Sequence, residues 1–263
     1  MAEIHKTAII EGDVKLAEDV SVGPYSILVG NIEVGEGTEI GSHVRIEGNV
    51  TIGKGNKIAS FAYIGAPPQD LGFKGEISGI KIGNNNIIRE YVTIHRATGE
   101  NNYTLVGDNN FIMAYAHLAH NVKLGSECII VNAAQLAGYV EVHDKAFVSG
   151  LVGVHQFVRI GGYSIIGGVS RVTQDVLPFM MVVGVPPRVT GINLVGLRRN
   201  GFTRERIKII KEAYKILYRS GLNLSNAVEK LKNELPMNED IKYILEFMNN
   251  SRRGILLKAG ENG

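Results

Sequence analysis

The sequence predicts a mainly β protein, a parallel β-helix solenoid, followed by a small α-helical domain. Three observations lead to this prediction. An aliphatic residue recurs every six positions, glycine is abundant at 32 residues while tryptophan is absent, and the six-residue period becomes helical near the C-terminus. A core with few large side chains is typical of many thin stacked layers and not of one globular centre.

The six-residue period runs from Ile4 to Val172. Steps of six visit 29 positions, of which 26 are Ile, Leu or Val; the exceptions are Asp70, Glu76 and Glu100. Such a period fits short strands that each turn a corner and send one aliphatic side chain inward. Three strands make a coil of roughly 18 residues, so residues 18 apart should stack at about 4.8 Å. The single cysteine, Cys128, falls in a small inward position and should belong to the core.

Two segments interrupt this pattern without changing its phase. Residues 65–81 replace two steps and residues 96–105 replace one. Both are therefore predicted to be loops that leave an intact stack, and long loops on a rigid scaffold often bind ligands. The solenoid is predicted to span residues 1–190.

Residues 191–263 are predicted to form the helical domain. Thr203 is the expected N-cap of a helix that ends at Gly221. Ser225 is the expected start of the next helix, and the segment NEDIKYILEFMNNS is predicted to form another. The final residues are expected to fray.

Charge and composition limit the classes of function. Lys and Arg number 28 against 26 Asp and Glu, for a net charge of +2, which argues against a nucleic-acid binder. One cysteine, no signal peptide and no apolar run of about 18 residues predict a cytoplasmic protein without membrane insertion.

The stretch AYAHLAHNVKLG contains the candidate base, His120. His117 and His120 flank the inward Leu118, so both should point away from the core. The outward column through His120 continues at Gly138 and Gln156. A backbone N–H without a covering side chain beside an imidazole is the arrangement that an oxyanion site needs.

A zinc site is the main alternative for these histidines. Three of His95, His117, His120 and His155 are enough ligands in principle. The sequence has no strong ligand spacing and no thiol cluster, so no metal is predicted. His5, His43 and His143 are expected at the surface or at corners.

The chain resembles the UDP-N-acetylglucosamine O-acyltransferases that start lipid A biosynthesis. The resemblance covers nearly the whole chain and rests on a set of motifs in order: IREYVTIHRAT, AHLAHNVKLG, LAGYVEV, GVHQF and GLRRNGF. It implies a left-handed β-helix that forms a homotrimer with active sites between neighbouring subunits. It also implies transfer of an (R)-3-hydroxyacyl chain from acyl carrier protein to the glucosamine 3-hydroxyl of UDP-N-acetylglucosamine, without a cofactor.

The resemblance assigns roles to individual residues. His120 is the base and Gly138 supplies the oxyanion amide. The residues expected to bind substrate are Gln69, Asp70, His117, His155, Gln156, Asn193 and Arg199. Gly168 corresponds to the position that limits acyl-chain length, and glycine there leaves room for a longer chain.

Some residues depart from the family pattern. Asn121 stands where the family often has Asp, so another group is expected to orient the base. Gly72 replaces a Lys after QDL, and the role of Lys74 stays open. A basic cluster is a candidate surface for an acidic carrier protein: Arg198, Arg199, Arg204, Arg206, Lys208 and Lys211. A coenzyme A-dependent acetyl- or succinyltransferase and a zinc enzyme like the gamma-class carbonic anhydrases remain alternative functions on this scaffold.

Overall fold

The structure, a computed structural model, describes residues 1–260 and is built mainly from short strands. The strands are β1 (Glu3–Ile4), β2 (Ile9–Leu16), β3 (Ser21–Val22), β4 (Ile27–Val34), β5 (Glu39–Ile40), β6 (Arg45–Ile52), β7 (Lys57–Ile58), β8 (Tyr63–Ala66), β9 (Gly79–Ile82), β10 (Ile87–Ile88), β11 (Thr93–His95), β12 (Tyr103–Val106), β13 (Phe111–Ile112), β14 (His117–Leu118), β15 (Lys123–Leu124), β16 (Ile129–Ile130), β17 (Gln135–Leu136), β18 (Glu141–Val142), β19 (Phe147–Val148), β20 (Gly153–Val154), β21 (Arg159–Ile160), β22 (Ile165–Ile166), β23 (Arg171–Val172), β24 (Met180–Val183) and β25 (Arg188–Ile192). The helices are α1 (Leu194–Arg199), α2 (Arg204–Arg219), α3 (Leu224–Glu234) and α4 (Glu239–Asn249).

The strands stack in parallel on three faces of a triangular prism. Face 1 contains β1, β3, β5, β7, β10, β13, β16, β19, β22 and β24. The long strands β2, β4 and β6 each cross a corner, from face 2 to face 3. Face 2 continues through β8, β11, β14, β17, β20 and β23, and face 3 through β9, β12, β15, β18 and β21.

The register is the predicted one. Leu118 pairs with Leu136, 18 residues on, whereas Ile64 pairs with Ile94 across the first interruption. The interruptions add 12 and 6 residues to the repeat, as Ile52↔Ile82 and Ile82↔Val106 show. The structure narrows the loops to residues 67–78 and 96–102, because both ends of the first predicted segment and the C-terminal end of the second belong to strands.

The aliphatic column positions form the core. From Val22 onward, the Ile, Leu and Val residues of the six-residue series are buried. Ile4 is 45% exposed because no coil covers the first one. Asp70, Glu76 and Glu100, the three exceptions, all lie in the two loops.

One inner corner holds a ladder of amides that the sequence pattern did not predict. Asn86 N–H and its side-chain amide both donate to Asn56 Oδ1 at 3.0 Å. Asn86 Oδ1 accepts from Asn110 N–H at 2.9 Å, and Asn110 Oδ1 accepts from Cys128 N–H at 2.8 Å. Cys128 is buried as predicted, and burial raises the pKa of its thiol to about 12.

The C-terminal segment packs on the last coils of the solenoid. The boundary predicted at residues 190/191 lies inside β25, which pairs antiparallel with β24. Thr203 caps α2, as predicted, by accepting from Arg206 N–H. Asn223, and not Ser225, caps the next helix. His143, expected at the surface, is half-buried against α4, where its Nδ1 lies 2.9 Å from Tyr243 Oη.

The last residues of the chain, 261–263, which the prediction of fraying concerns, lie outside the described residues, and the segment before them packs on the solenoid. Ile255 and Leu256 are buried. Isolated bridges join Asp175 to Ile255 and Val189 to Ala259, because the chain returns to the end of the solenoid after α4.

Candidate active site

An open groove of about 460 Å³ lies along face 2 and the corner that follows it. It brings together six of the sequence-predicted site residues: Gln69, His117, His120, Gly138, His155 and Gln156. Ala119, Gln135, Ala137, Gly153, Val154, Arg171 and Thr173 complete its lining. The 18-residue stacking therefore places histidines from coils two layers apart along one groove, with Gly138 on the coil between them.

His120 is the most enclosed of the groove histidines that the sequence singled out. Its side chain is 11% exposed, and its Nε2 lies 3.9 Å from Asp70 Oδ2. The ring of Tyr139, on the next coil, meets the imidazole edge-on, with 5.3 Å between ring centroids. The prediction that His120 lies outside the core columns fits its place in the groove lining.

Gly138 can only be glycine beside this ring. A Cβ there would lie 2.5 Å from Nε2 and Cε1 of His120, which no real contact allows. Within residues 1–260, the Gly138 N–H donates no hydrogen bond, while its carbonyl accepts from Phe157 N–H. His120 and a residue with an uncommitted amide donor are thus neighbours on adjacent coils, with no room for a side chain between them.

The first loop brings Gln69 and Asp70 to the groove. Gln69 lines it, and Asp70 Oδ1 accepts from the Gly72 N–H at 2.8 Å, a turn that holds the carboxylate toward His120. Lys74 is exposed and lies outside the groove lining, and its N–H donates to Glu76.

Comparisons with known proteins identify the family of the chain. The C-terminal region, residues 175–256, matches the family model for UDP-N-acetylglucosamine O-acyltransferase domain 2, and residues 13–48, 31–66 and 103–138 match the bacterial transferase hexapeptide repeat. The chain is 52% identical to the acyl-[acyl-carrier-protein]–UDP-N-acetylglucosamine O-acyltransferase of Thermodesulfovibrio yellowstonii, covering 97% of this chain and 99% of that protein. The chain belongs to the UDP-N-acetylglucosamine O-acyltransferase family.

Solved structures lead to the same family. The acyltransferase from Francisella novicida superposes with a TM-score of 0.93 at 43% identity, covering 96% of this chain and 93% of that one. The acyltransferase from Campylobacter jejuni superposes with a TM-score of 0.90 at 36% identity, covering 97% of this chain and 99% of that one. The predicted family and the predicted fold, a left-handed β-helix with C-terminal helices, are confirmed.

Asn121, the departure from the family pattern, itself contacts the candidate base. Its Oδ1 lies 2.9 Å from His120 Nδ1, although the departure from Asp predicted that another group would orient the ring. Asn121 is held in turn by Thr98 of the second loop, whose N–H and hydroxyl both reach the same Oδ1 at 2.9 and 3.0 Å. Thr98 was not singled out from the sequence because 23 residues separate it from Asn121.

His117 is a neutral partner in the groove. Burial, and then the nearby His95 and His120, lower its pKa to about 4. Its Nδ1 is 2.7 Å from Thr93 Oγ1 on the adjacent coil. His95 is buried behind it, with 4.7 Å between ring centroids, and burial lowers the pKa of His95 as well.

Three predicted site residues lie away from this groove within one chain. Asn193 and Arg199 line a second cavity, of about 300 Å³, against the outer side of face 1. Asn193 caps α1 by accepting from Gly196 N–H and donates to the Tyr163 carbonyl. Gly168 is exposed at the corner between faces 1 and 2, where a Cβ would meet only the Gly150 carbonyl, at 3.4 Å.

Among residues 1–260, no three His, Cys, Asp or Glu side chains are arranged to hold a metal ion. No helix in the same range is long and apolar enough to span a bilayer.

Proposed function

We propose that this protein transfers an (R)-3-hydroxyacyl chain from acyl carrier protein to the glucosamine 3-hydroxyl of UDP-N-acetylglucosamine, the first step of lipid A biosynthesis. The observation that carries the proposal is that His120 and Gly138 line one open groove, with the His120 ring in the space that a Cβ on Gly138 would fill. Family membership favours this reaction over the coenzyme A-dependent and zinc-enzyme alternatives. No cofactor is required, because the thioester of the carrier protein is already an activated acyl donor.

In the proposed mechanism, His120 Nε2 removes the proton of the sugar 3-hydroxyl. The oxygen attacks the thioester carbonyl carbon, and the negative charge that develops on the carbonyl oxygen is stabilised by the Gly138 N–H. As the carbon–sulfur bond breaks, the proton on His120 passes to the departing thiolate. The products are the 3-O-acyl sugar nucleotide and the free carrier thiol.

The polar groups around His120 are suited to hold the sugar. Gln69 and Asp70 approach from the first loop, and Gln156 lies one coil beyond Gly138 in the same outward column. His117 can donate or accept a hydrogen bond while staying uncharged, because its pKa is lowered to about 4. His155 is exposed at the groove edge, where it can contact a bound substrate.

The proposed assembly is a homotrimer in the cytoplasm. It is supported by the separation of Asn193, Arg199 and Gly168 from the groove, since a neighbouring subunit can bring face 1 against face 2. The edge between those two faces carries a stripe of exposed, mostly apolar side chains, interrupted by the half-buried Ala133 and typical of an interaction surface: Tyr25, His43, Phe61, Tyr91, Tyr115, Leu151 and Val169. Rings from Tyr25 to Tyr115 stack at 4.8–5.1 Å between centroids.

The carrier protein is proposed to dock on part of the basic cluster. Four of its members, Arg198, Arg204, Lys208 and Lys211, line a groove of about 860 Å³ with the apolar Ile192, Leu194, Phe202 and Ile207. Arg206 is instead paired with Asp240 at 2.7 Å. Surface charge pairs are screened by salt, so the transfer rate at limiting carrier protein should fall steeply as salt rises.

The decisive experiment is a transfer assay with UDP-N-acetylglucosamine and a series of acyl carrier donors, read by mass spectrometry. His120→Ala should lower kcat by roughly 10²–10⁴-fold while the protein stays folded, because the base is lost. His5→Ala, an exposed histidine at the far end of the solenoid, is the matched control. Full activity of His120→Ala, or no O-acylated product from the wild type, would refute the proposal.

A further inference from the structure

We infer that the 96–102 loop fixes the tautomer of His120 by holding the Asn121 amide, which makes Asn121 and Thr98 positioning residues. The inference rests on the proposed function for its catalytic meaning. Its structural content, the position of one hydrogen on His120, does not depend on the substrate.

The orientation of the Asn121 amide follows from two backbone groups. The Thr98 N–H can only donate, and it points at Asn121 Oδ1 at 2.9 Å. The Thr98 carbonyl can only accept, and it faces Asn121 Nδ2 at 3.1 Å. A flipped amide would place a donor against a donor and an acceptor against an acceptor. Oxygen is therefore the atom that faces His120.

The hydrogen on the imidazole follows from the amide. His120 Nδ1 lies 2.9 Å from an atom that only accepts, so Nδ1 must carry a hydrogen. A neutral imidazole has one N–H, which leaves the lone pair on Nε2. That atom lies 2.5 Å from where a Cβ on Gly138 would be and 3.9 Å from Asp70 Oδ2. The base is thus fixed in the form that can take a proton from a ligand in the groove.

The support is rigid. Thr98 and Asn121 are 7% and 8% exposed, and the Asn121 N–H donates to Thr104 Oγ1 at 2.9 Å. The Thr98 hydroxyl also lies 2.9 Å from Tyr139 Oη, and the Tyr139 ring packs on His120. The contacts therefore form a closed ring, in which each residue touches the next: Thr98, Asn121, His120 and Tyr139.

The neutral amide also has a consequence for pH dependence. The titratable groups around His120 are Asp70 on the first loop, His95 and His117 on face 2, and Tyr139 on the next coil. None of them accepts from Nδ1. Asn121→Asp would place a carboxylate there, which stabilises the imidazolium and should move the acidic limb of the pH–rate profile to higher pH.

The test uses the full-length protein labelled with ¹⁵N-histidine, with the two ring nitrogens of His120 read by NMR above pH 7. The wild type should show a protonated Nδ1 and a bare Nε2. Asn121→Gly removes the amide without backbone strain, because Asn121 has φ +58°. This variant should shift the hydrogen toward Nε2 and lower kcat roughly 10–100-fold with little change in KM.

Asn109→Gly is the matched control, since Asn109 has φ +57° and its exposed side chain makes no hydrogen bond within residues 1–260. It should leave both the spectrum and kcat unchanged. Asn121→Asp should keep the hydrogen on Nδ1 and retain most of the activity at high pH. A wild-type hydrogen on Nε2, or an Asn121→Gly spectrum like that of the wild type, would overturn the inference. Absence of O-acyl product with the expected spectra would instead count against the proposed function alone.

Discussion

At the scale of single residues, His120 lies in the groove lining, and Asn121 Oδ1, which contacts its Nδ1, is held by Thr98 of the second loop. His120 could be placed because its position relative to Leu118 in a six-residue period decides which way the side chain points. Thr98 could not be placed, since a loop conformation brings it to Asn121, and no period governs a loop. The spacing along the chain therefore predicts which way a side chain points, whereas a contact between residues distant in sequence can be found only in the folded structure.

His117 gives a prediction on pH and stability. Its pKa is about 4 when folded, against an ordinary value of about 6.5, so between these values the unfolded chain binds more protons. The free energy of unfolding should therefore fall as pH drops from 6.5 to 4, with about 3 kcal/mol from this residue.

His117→Asn should make that decline shallower in urea unfolding followed across pH 4–7. His5→Asn serves as the control and should leave the slope as it is. Equal slopes for His117→Asn and the wild type would contradict the assigned pKa.

At the scale of elements, the six-residue period predicted the strands, their register and both loops. It missed the ladder of Asn56, Asn86 and Asn110, although all three stand four residues after an inward aliphatic residue. In the sequence, a polar residue at an inward position looks like an exception to the apolar pattern. In the fold it supplies hydrogen bonds between coils, at 3.0 Å from Asn86 to Asn56 and 2.9 Å from Asn110 to Asn86. The short helix α1 was also missed, because six residues give too little helical period to detect.

The amide ladder predicts a large cost for Asn86→Ala. The change leaves the buried Asn110 N–H without its acceptor. It also removes the side-chain donor to Asn56 Oδ1, which keeps only the backbone N–H of residue 86, so the protein should lose about 1–3 kcal/mol of stability. Thermal unfolding measures this directly. Asn233→Ala, on the exposed side of α3, should change stability by less than about 0.5 kcal/mol. A similar loss of stability for both substitutions would show that the ladder hydrogen bonds stabilise the protein no more than an exposed side chain does.

At the scale of the whole molecule, the separation of predicted site residues onto two faces has an assembly consequence. His120 lies in the groove of face 2, while Arg199 lies in a cavity against face 1. If each site combines both faces, every subunit contributes one half of two different sites.

Mixed trimers test this arrangement. His120→Ala and Arg199→Ala subunits, co-expressed in equal amounts, should form intact sites at up to about a quarter of the interfaces, because each needs one suitable face from each neighbour. The measured activity should exceed the mean of the two variants expressed alone. Activity equal to that mean would show that His120 and Arg199 of neighbouring subunits do not act in the same site.

Gly168 predicts the range of acyl donors. A Cβ at this position meets only the Gly150 carbonyl, so Gly168→Met can be accommodated. Its side chain should fill space at the corner between faces 1 and 2, which the proposed trimer brings against the groove of a neighbouring subunit. Donor preference should shift toward shorter acyl chains in competition assays across a chain-length series, with kcat for short donors nearly unchanged. An unaltered preference would refute the role of Gly168 in limiting chain length.

The regular stacking of the coils also determines how such a preference can change. Gly168 follows His120 by 48 residues, and paired residues on neighbouring coils differ by 18, so the two lie roughly 13 Å apart along the prism axis. Side chains able to block the far end of the groove recur only once per layer, at intervals of about 4.8 Å. Donor selectivity in this scaffold should therefore evolve in discrete increments of several methylenes, as one layer or the next acquires the obstructing side chain.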